Sequence, residues 1–204
     1  MKIKLHNNDL PENIAFGNSV AVDTETMGLN PLRDRLCLVQ LSNGKGICHL
    51  VKFQLNYKKP KNLNKILKNK KIVKIFHFAR FDVAFLKHNF KINIENIYCT
   101  KIASKLARTF TNKHGYKDLC KELLNVQISK NEQTSDWGKS KLSASQQKYA
   151  ATDVFYLHKI KDELDKMLKR ENRTDLSKKC FDFIRYRTDL DLKGWNNQDI
   201  FSHE

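Results

Sequence analysis

Five residues could do chemistry together. Asp23-Thr24-Glu25 closes the apolar run Ser19-Val20-Ala21-Val22, and residues two apart on a strand point the same way. Two carboxylates therefore converge at a strand end, where their mutual repulsion favours a shared cation. An all-oxygen donor set suits a hard ion such as Mg2+ or Mn2+. Asp82 follows a second apolar stretch, Lys71-Ile72-Val73-Lys74-Ile75-Phe76, at an expected strand-to-helix junction. Tyr149 and Asp153 are four apart in Lys148-Tyr149-Ala150-Ala151-Thr152-Asp153 and share one face of a helix, so a phenol stands beside a carboxylate. Each feature alone has a bland reading: a solvated strand end, a helix cap, a surface contact. Their joint occurrence in this order and context is what points to a metal-dependent hydrolytic site.

The elements that must hold these residues are legible in outline. Strands are expected over Ser19–Asp23, Arg35–Ser42 and Lys45–Val51, and Asn43-Gly44 between the last two signals an antiparallel hairpin. A short amphipathic helix is expected over Asn62–Asn69, then the strand ending at Phe76, then a helix from the Asp82 region to about His88. From Thr100 the pattern turns helical, with Ile102, Ala103, Leu106 and Ala107 on one face. Ser143 with Gln146 three residues on reads as a capping box opening the helix that carries Tyr149 and Asp153. A strand-rich first half and helix-rich second half predict an α/β or α+β domain with a mixed sheet.

Composition sets the bounds. The chain has 204 residues, 40% hydrophobic and 29% charged, which suits one compact domain. No stretch approaches the apolar length of a membrane span, and the first residues carry no signal-peptide run, so the expected compartment is the cytoplasm, with no membrane partner. The net charge of +16 fits a polyanionic partner such as nucleic acid, or a general lysine bias spread along the chain. Cys37, Cys48, Cys99, Cys120 and Cys180 are scattered and without a CxxC pair, and are expected as small buried hydrophobes.

Asp23-Thr24-Glu25, Phe81-Asp82 and Tyr149-x-x-x-Asp153 resemble the three exonuclease motifs of the DEDDy branch of the DEDD superfamily, and Ser135-Asp136-Trp137, Leu142-Ser143, Gln146 and Tyr149 resemble ribonuclease D in particular. A closer resemblance, over nearly the whole chain, is to the nanoRNase C diribonucleotidases. It rests on Arg33-Asp34-Arg35-Leu36-Cys37, Lys74-Ile75-Phe76-His77-Phe78, Cys99-Thr100-Lys101-Ile102-Ala103-Ser104-Lys105-Leu106 and Asp191-Leu192-x-Gly194-Trp195. The resemblance implies a ribonuclease H-like fold, an α/β domain in which helices flank a mixed central sheet, with residues 1–204 forming one 3′-5′ exonuclease domain. It implies two-metal hydrolysis with Mg2+ or Mn2+: Asp23 bridging both ions, Glu25 and Asp153 completing the first site, Asp82 holding the second, and Tyr149 orienting the attacking water.

The implied substrate is short RNA, dinucleotides above all. The alternatives are trimming of longer RNA in the manner of ribonuclease D, and a 3′-5′ exonuclease acting on DNA. Leu29 is the candidate wedge between two bases, with a core leucine as its alternative. His77, Arg80, Lys101, Ser104 and Arg108 are donors of the type a 5′ phosphate needs, the first two being nearest the second motif. Arg108 reads equally as a solvated helix residue, His77 as strand-end packing, and Trp137 as a stacking platform or a core residue. The C-terminal tail, about 190–204, carries Trp195, Ile200 and Phe201 after a charged helix. That suggests burial against another copy, and the resemblance implies a ring-like homo-oligomer, an octamer.

Overall fold

The computed structural model describes residues 1–129 and 132–203. Among these residues six strands form one mixed sheet: β1 (Lys2–Asn7), β2 (Ser19–Thr26), β3 (Leu36–Ser42), β4 (Ile47–Lys52), β5 (Val73–Phe76) and β6 (Ile97–Cys99), in the spatial order β1-β4-β3-β2-β5-β6. β2–β3 and β3–β4 pair antiparallel; β1–β4, β2–β5 and β5–β6 pair parallel. The expected hairpin joins β3 to β4 through a loop in which Gly44 and Gly46 both take positive φ, +73° and +91°. β3 is buried along its whole length, as a strand covered on both faces must be.

Among the described residues seven helices follow or punctuate the strands: α1 (Lys61–Leu67), α2 (Ala79–Phe90), α3 (Thr100–Ala107), α4 (Tyr116–Leu124), α5 (Ala144–Phe155), α6 (Leu157–Arg170) and α7 (Thr174–Leu192). α5 packs on β2, β3 and β4, and α2 on β3, β5 and β6. The core between them is aliphatic and aromatic, including Val20, Val22, Leu38, Leu41, Leu50, Phe53, Phe76, Phe85, Val154 and Leu157. Cys37, Cys48, Cys99 and Cys120 lie in this core as free thiols, and Cys180 is half-buried.

The capping box forms as the sequence predicts. Gln146 N–H donates to Ser143 Oγ at 3.1 Å, and Ser143 N–H donates to Gln146 Oε1 at 3.0 Å. It starts α5 at a fixed residue, and that sets which face Tyr149 and Asp153 occupy. Two strands had no counterpart among the expected elements. β1 is an edge strand with mostly exposed side chains, and β6 has only three residues, so neither carries a clear hydrophobic period.

After α7 the chain folds back at Gly194. Arg187 donates to the carbonyls of Trp195, Asn196 and Gln198 and holds the tail against the helix. Phe201 packs beside Phe183 at 5.9 Å between ring centroids, yet remains 74% exposed. Among the described residues, no helix is long and apolar enough to cross a membrane.

Candidate active site

β2 brings the first two carboxylates to the sheet end. Asp23 lies opposite Gln40 of β3 and Glu25 opposite Leu38, and the register shifts between Glu25 and Thr26. Such an irregularity turns the strand out of the sheet just beyond the acids. Gln40, fully buried, spends its amide N–H2 group on both acids: Nε2 lies 3.1 Å from Asp23 Oδ2 and 3.1 Å from Glu25 Oε1.

The third carboxylate arrives on α2. Between β5 and α2 the backbone of Phe78 takes the left-handed conformation, φ +68°, an unfavourable one for a residue with a Cβ. That corner places Asp82 in the first turn of α2, where the helix dipole favours a negative group. Asp82 is buried and accepts a 2.7 Å hydrogen bond from Thr24 Oγ1. The fourth comes from α5. Ligand oxygens of Asp23, Glu25 and Asp153 all lie within 4.8 Å of one another. Tyr149 stands one turn before Asp153 on the same face of α5, beside its carboxylate.

The electrostatics are those of an unneutralised acidic cluster. Burial first, then the charges of Asp82, Asp153 and Glu25, push the Asp23 carboxyl well above the usual carboxylate range. Glu25 is raised likewise, by burial and then by Asp153 and Asp82. Burial pushes Asp82 up to about 7. The Tyr149 phenol is also raised, by burial and by Asp153, so it is neutral at physiological pH and acts as a hydrogen-bonding group. Three converging carboxylates whose charges are this costly fit hard divalent cations, which would relieve the repulsion and take only oxygen ligands. All four acids and Tyr149 open onto one cavity of about 870 Å³.

Residues 5–169 match the model of the 3′-5′ exonuclease family. The chain belongs to that family. Within it, this exonuclease is a DEDD enzyme of the ribonuclease D type and is similar over its full length to Brucella melitensis NrnC. The Mg2+-bound structure of that protein is 49% identical, with 100% of both chains covered and a TM-score of 0.95. The structure of the same protein bound to pGG is 50% identical, again with 100% of both chains covered, at a TM-score of 0.96. The ribonuclease D of Acidiphilium cryptum is 29% identical over 202 residues, covering 94% of this chain and 51% of its own. The chain thus spans about half the length of the curated relatives it matches.

The exonuclease cavity collects some of the expected substrate donors and not others. Leu29 lines it and is 82% exposed, so the core-leucine alternative does not hold. His77 lines it, with Nδ1 2.9 Å from Thr100 Oγ1. Lys101 lines it too, with its ammonium 4.4 Å from the centroid of the Phe78 ring. Arg80, Ser104 and Arg108 do not line it. Arg80 forms two 2.7 Å bonds to the Asp191 carboxylate of α7 and donates to the Asn196 carbonyl, so it ties the tail to α2. Ser104 is buried against His114 Nδ1 at 2.9 Å. Arg108 is neither a pocket donor nor a solvated residue. It is 1% exposed and spends its guanidinium on Glu122, Ser104 and the Lys113 carbonyl.

Trp137 is a core residue that also forms part of the cavity wall, 2% exposed and 6.0 Å from the Tyr149 ring. Its segment is pinned from behind: Gln146 Nε2 donates to Ser135 Oγ at 2.7 Å, and buried Lys52 donates to the Trp137 carbonyl at 3.2 Å. Gln40, Thr24 and Phe78 are site residues to which the sequence reading gave no role, Thr24 and Phe78 standing inside quoted motifs without one. Only Gln40 carried a signal, as an amide inside the otherwise apolar run Leu38-Val39-Gln40-Leu41.

Proposed function

We propose that this chain is a metal-dependent exoribonuclease of short RNA, dinucleotides above all, releasing nucleoside 5′-monophosphates. The carrying observation is the cavity itself. The acids stand together with an exposed leucine, Leu29, and two cationic or hydrogen-bonding groups, His77 and Lys101. A leucine exposed in this way would wedge between two bases, and His77 with Lys101 would take the 5′ phosphate of a chain two residues long. Similarity over the full length to a protein solved with pGG supports the same reading.

Asp23, Glu25 and Asp153 would hold one divalent ion, and Asp82 a second shared with Asp23. When bound, such ions supply Lewis acidity to the phosphoryl group and lower the pKa of the attacking water. The protein's own part is positional. Tyr149, whose phenol stands beside Asp153, would orient the water for in-line attack. Thr24 fixes Asp82, and Trp137 forms part of the cavity wall beside Tyr149. The whole chain would act as one exonuclease domain. Trp195, Ile200 and Phe201, 42%, 48% and 74% exposed, would be covered by other copies in a ring-like homo-oligomer, an octamer.

The test is release of nucleoside 5′-monophosphate from a 5′-phosphorylated dinucleotide with Mn2+, compared with the same dinucleotide lacking the phosphate and with Asp23→Asn. Fast, Mn2+-dependent cleavage that needs both the phosphate and Asp23 supports the proposal. Equal cleavage without the 5′ phosphate refutes the role given to His77 and Lys101.

A further inference from the structure

Gln40 of β3 hydrogen-bonds both Asp23 and Glu25 through its side chain, and its environment is not that of an ordinary core amide. It sits fully buried between Val39 and Leu41, themselves fully buried, in a strand with no exposed position. A glutamine there would normally be replaced by an aliphatic residue or have all its polar atoms paired. Gln40 does neither. Its N–H2 group is bonded to Asp23 and Glu25 at 3.1 Å each, while its Oε1 has no hydrogen-bond partner among the described residues. The reversed amide would aim an oxygen at two carboxylate oxygens and is excluded by repulsion. The fold therefore tolerates an orphaned buried acceptor so that one amide can span two acids.

We propose that Gln40 is a positioning residue for the metal-binding carboxylates. The inference rests on the functional reading above. An N–H2 group carries two hydrogens, one for each acid, and holding one oxygen of each leaves each carboxylate its second oxygen for a cation. The antiparallel register sets this arrangement. Asp23 lies directly across from Gln40, Glu25 is its diagonal neighbour, and both are within reach of a side chain of this length. Without the amide, two acids that repel each other would splay toward solvent, and the site would have to be reassembled at every metal-binding event. Outer-sphere hydrogen bonds of this kind typically govern metal affinity by about 10- to 100-fold.

The decisive comparison is Gln40→Met, which keeps length and approximate volume and removes both N–H donors, with Gln40→Leu as the second variant should the first fail to fold. Mn2+ binding is measured by isothermal titration calorimetry at constant pH, beside the melting temperature in EDTA. The expected result is Mn2+ affinity about tenfold or more weaker in a variant that still melts cooperatively, the lost orphaned acceptor and the two lost donors acting on the metal-free melting temperature in opposite directions. Mn2+ affinity within twofold of the parent, in a variant that folds, overturns the proposal and leaves Gln40 a packing residue. Failure of the parent chain itself to bind Mn2+ would instead overturn the functional reading, so the two failures are separable.

Discussion

Asp82→Asn is expected to make the metal-free protein more stable while destroying its activity. Asp82 is 3% exposed, and burial raises its carboxyl from 3.8 to about 7. A group whose pKa is raised on folding favours the fold when protonated and loses that contribution as pH rises through the folded value. At pH 8 the ionised carboxylate therefore weighs against folding by roughly 3 pKa units, or about 4 kcal/mol at most. The Asp153 charge adds to the effect of burial, so the cost is shared with the neighbouring acids, and the part relieved by neutralising Asp82 is on the order of half, about 2 kcal/mol. Asparagine is isosteric, carries no charge and can still accept the bond from Thr24 Oγ1. For a chain of this size, about 2 kcal/mol corresponds to a gain of roughly 4–8 °C in melting temperature. The assay is thermal unfolding in EDTA from pH 5 to pH 8. The advantage of Asp82→Asn should be full above pH 7 and shrink by up to about 1.4 kcal/mol per unit below it. A melting temperature at pH 8 equal to or below that of the parent would refute the claim that the cluster is strained by its own charge.

Three further outcomes are expected. Tyr149→Phe should lower kcat by about 10- to 100-fold through loss of water orientation and leave Mn2+ affinity within twofold; unchanged turnover removes the role of the hydroxyl. Leu29→Ala, at a position 82% exposed, should leave the melting temperature within about 1 °C and raise KM for a dinucleotide by about tenfold. An unaltered KM would show that the leucine does not contact the bases. His49, 3.0 Å from His6, is held down to about 4 by burial, so its fold contribution is present above pH 6.5 and lost as pH falls toward 4. His49→Gln should flatten the acid-side fall in melting temperature by the equivalent of about 1 kcal/mol once solvent screening is allowed for, and a parallel fall in both proteins would argue otherwise.

The catalytic set was readable because each member is placed by a strong local signal. Asp23 and Glu25 close a short apolar strand, Asp82 lies in the first turn of the helix that follows another, and Ser143 with Gln146 fixes the phase of α5 so that Tyr149 and Asp153 share a face. The phosphate donors were not equally readable. Arg80, Ser104 and Arg108 have the right chemistry and lie near the right motifs, but their partners, Asp191, His114 and Glu122, come from distant or separately folded segments. Only tertiary structure decides whether a guanidinium faces the ligand or an internal acid. β1 was missed for the opposite reason. As an edge strand it buries little, and its pairing with β4 is a matter of backbone hydrogen bonds that leave almost no mark on side-chain periodicity. Phe78 shows the same limit, since a left-handed backbone at a phenylalanine follows from how β5 meets α2 and not from the residue's own preference.

The most direct test of the central claim is a time course with 5′-labelled RNAs of two, three, five and twenty nucleotides, run in parallel with Mn2+ and with EDTA. Consumption of the dinucleotide far faster than the longer chains, abolished by EDTA, is the expected result. Shortening of the twenty-nucleotide RNA at an equal rate would contradict it and make the chain an open-ended trimming enzyme of the ribonuclease D kind.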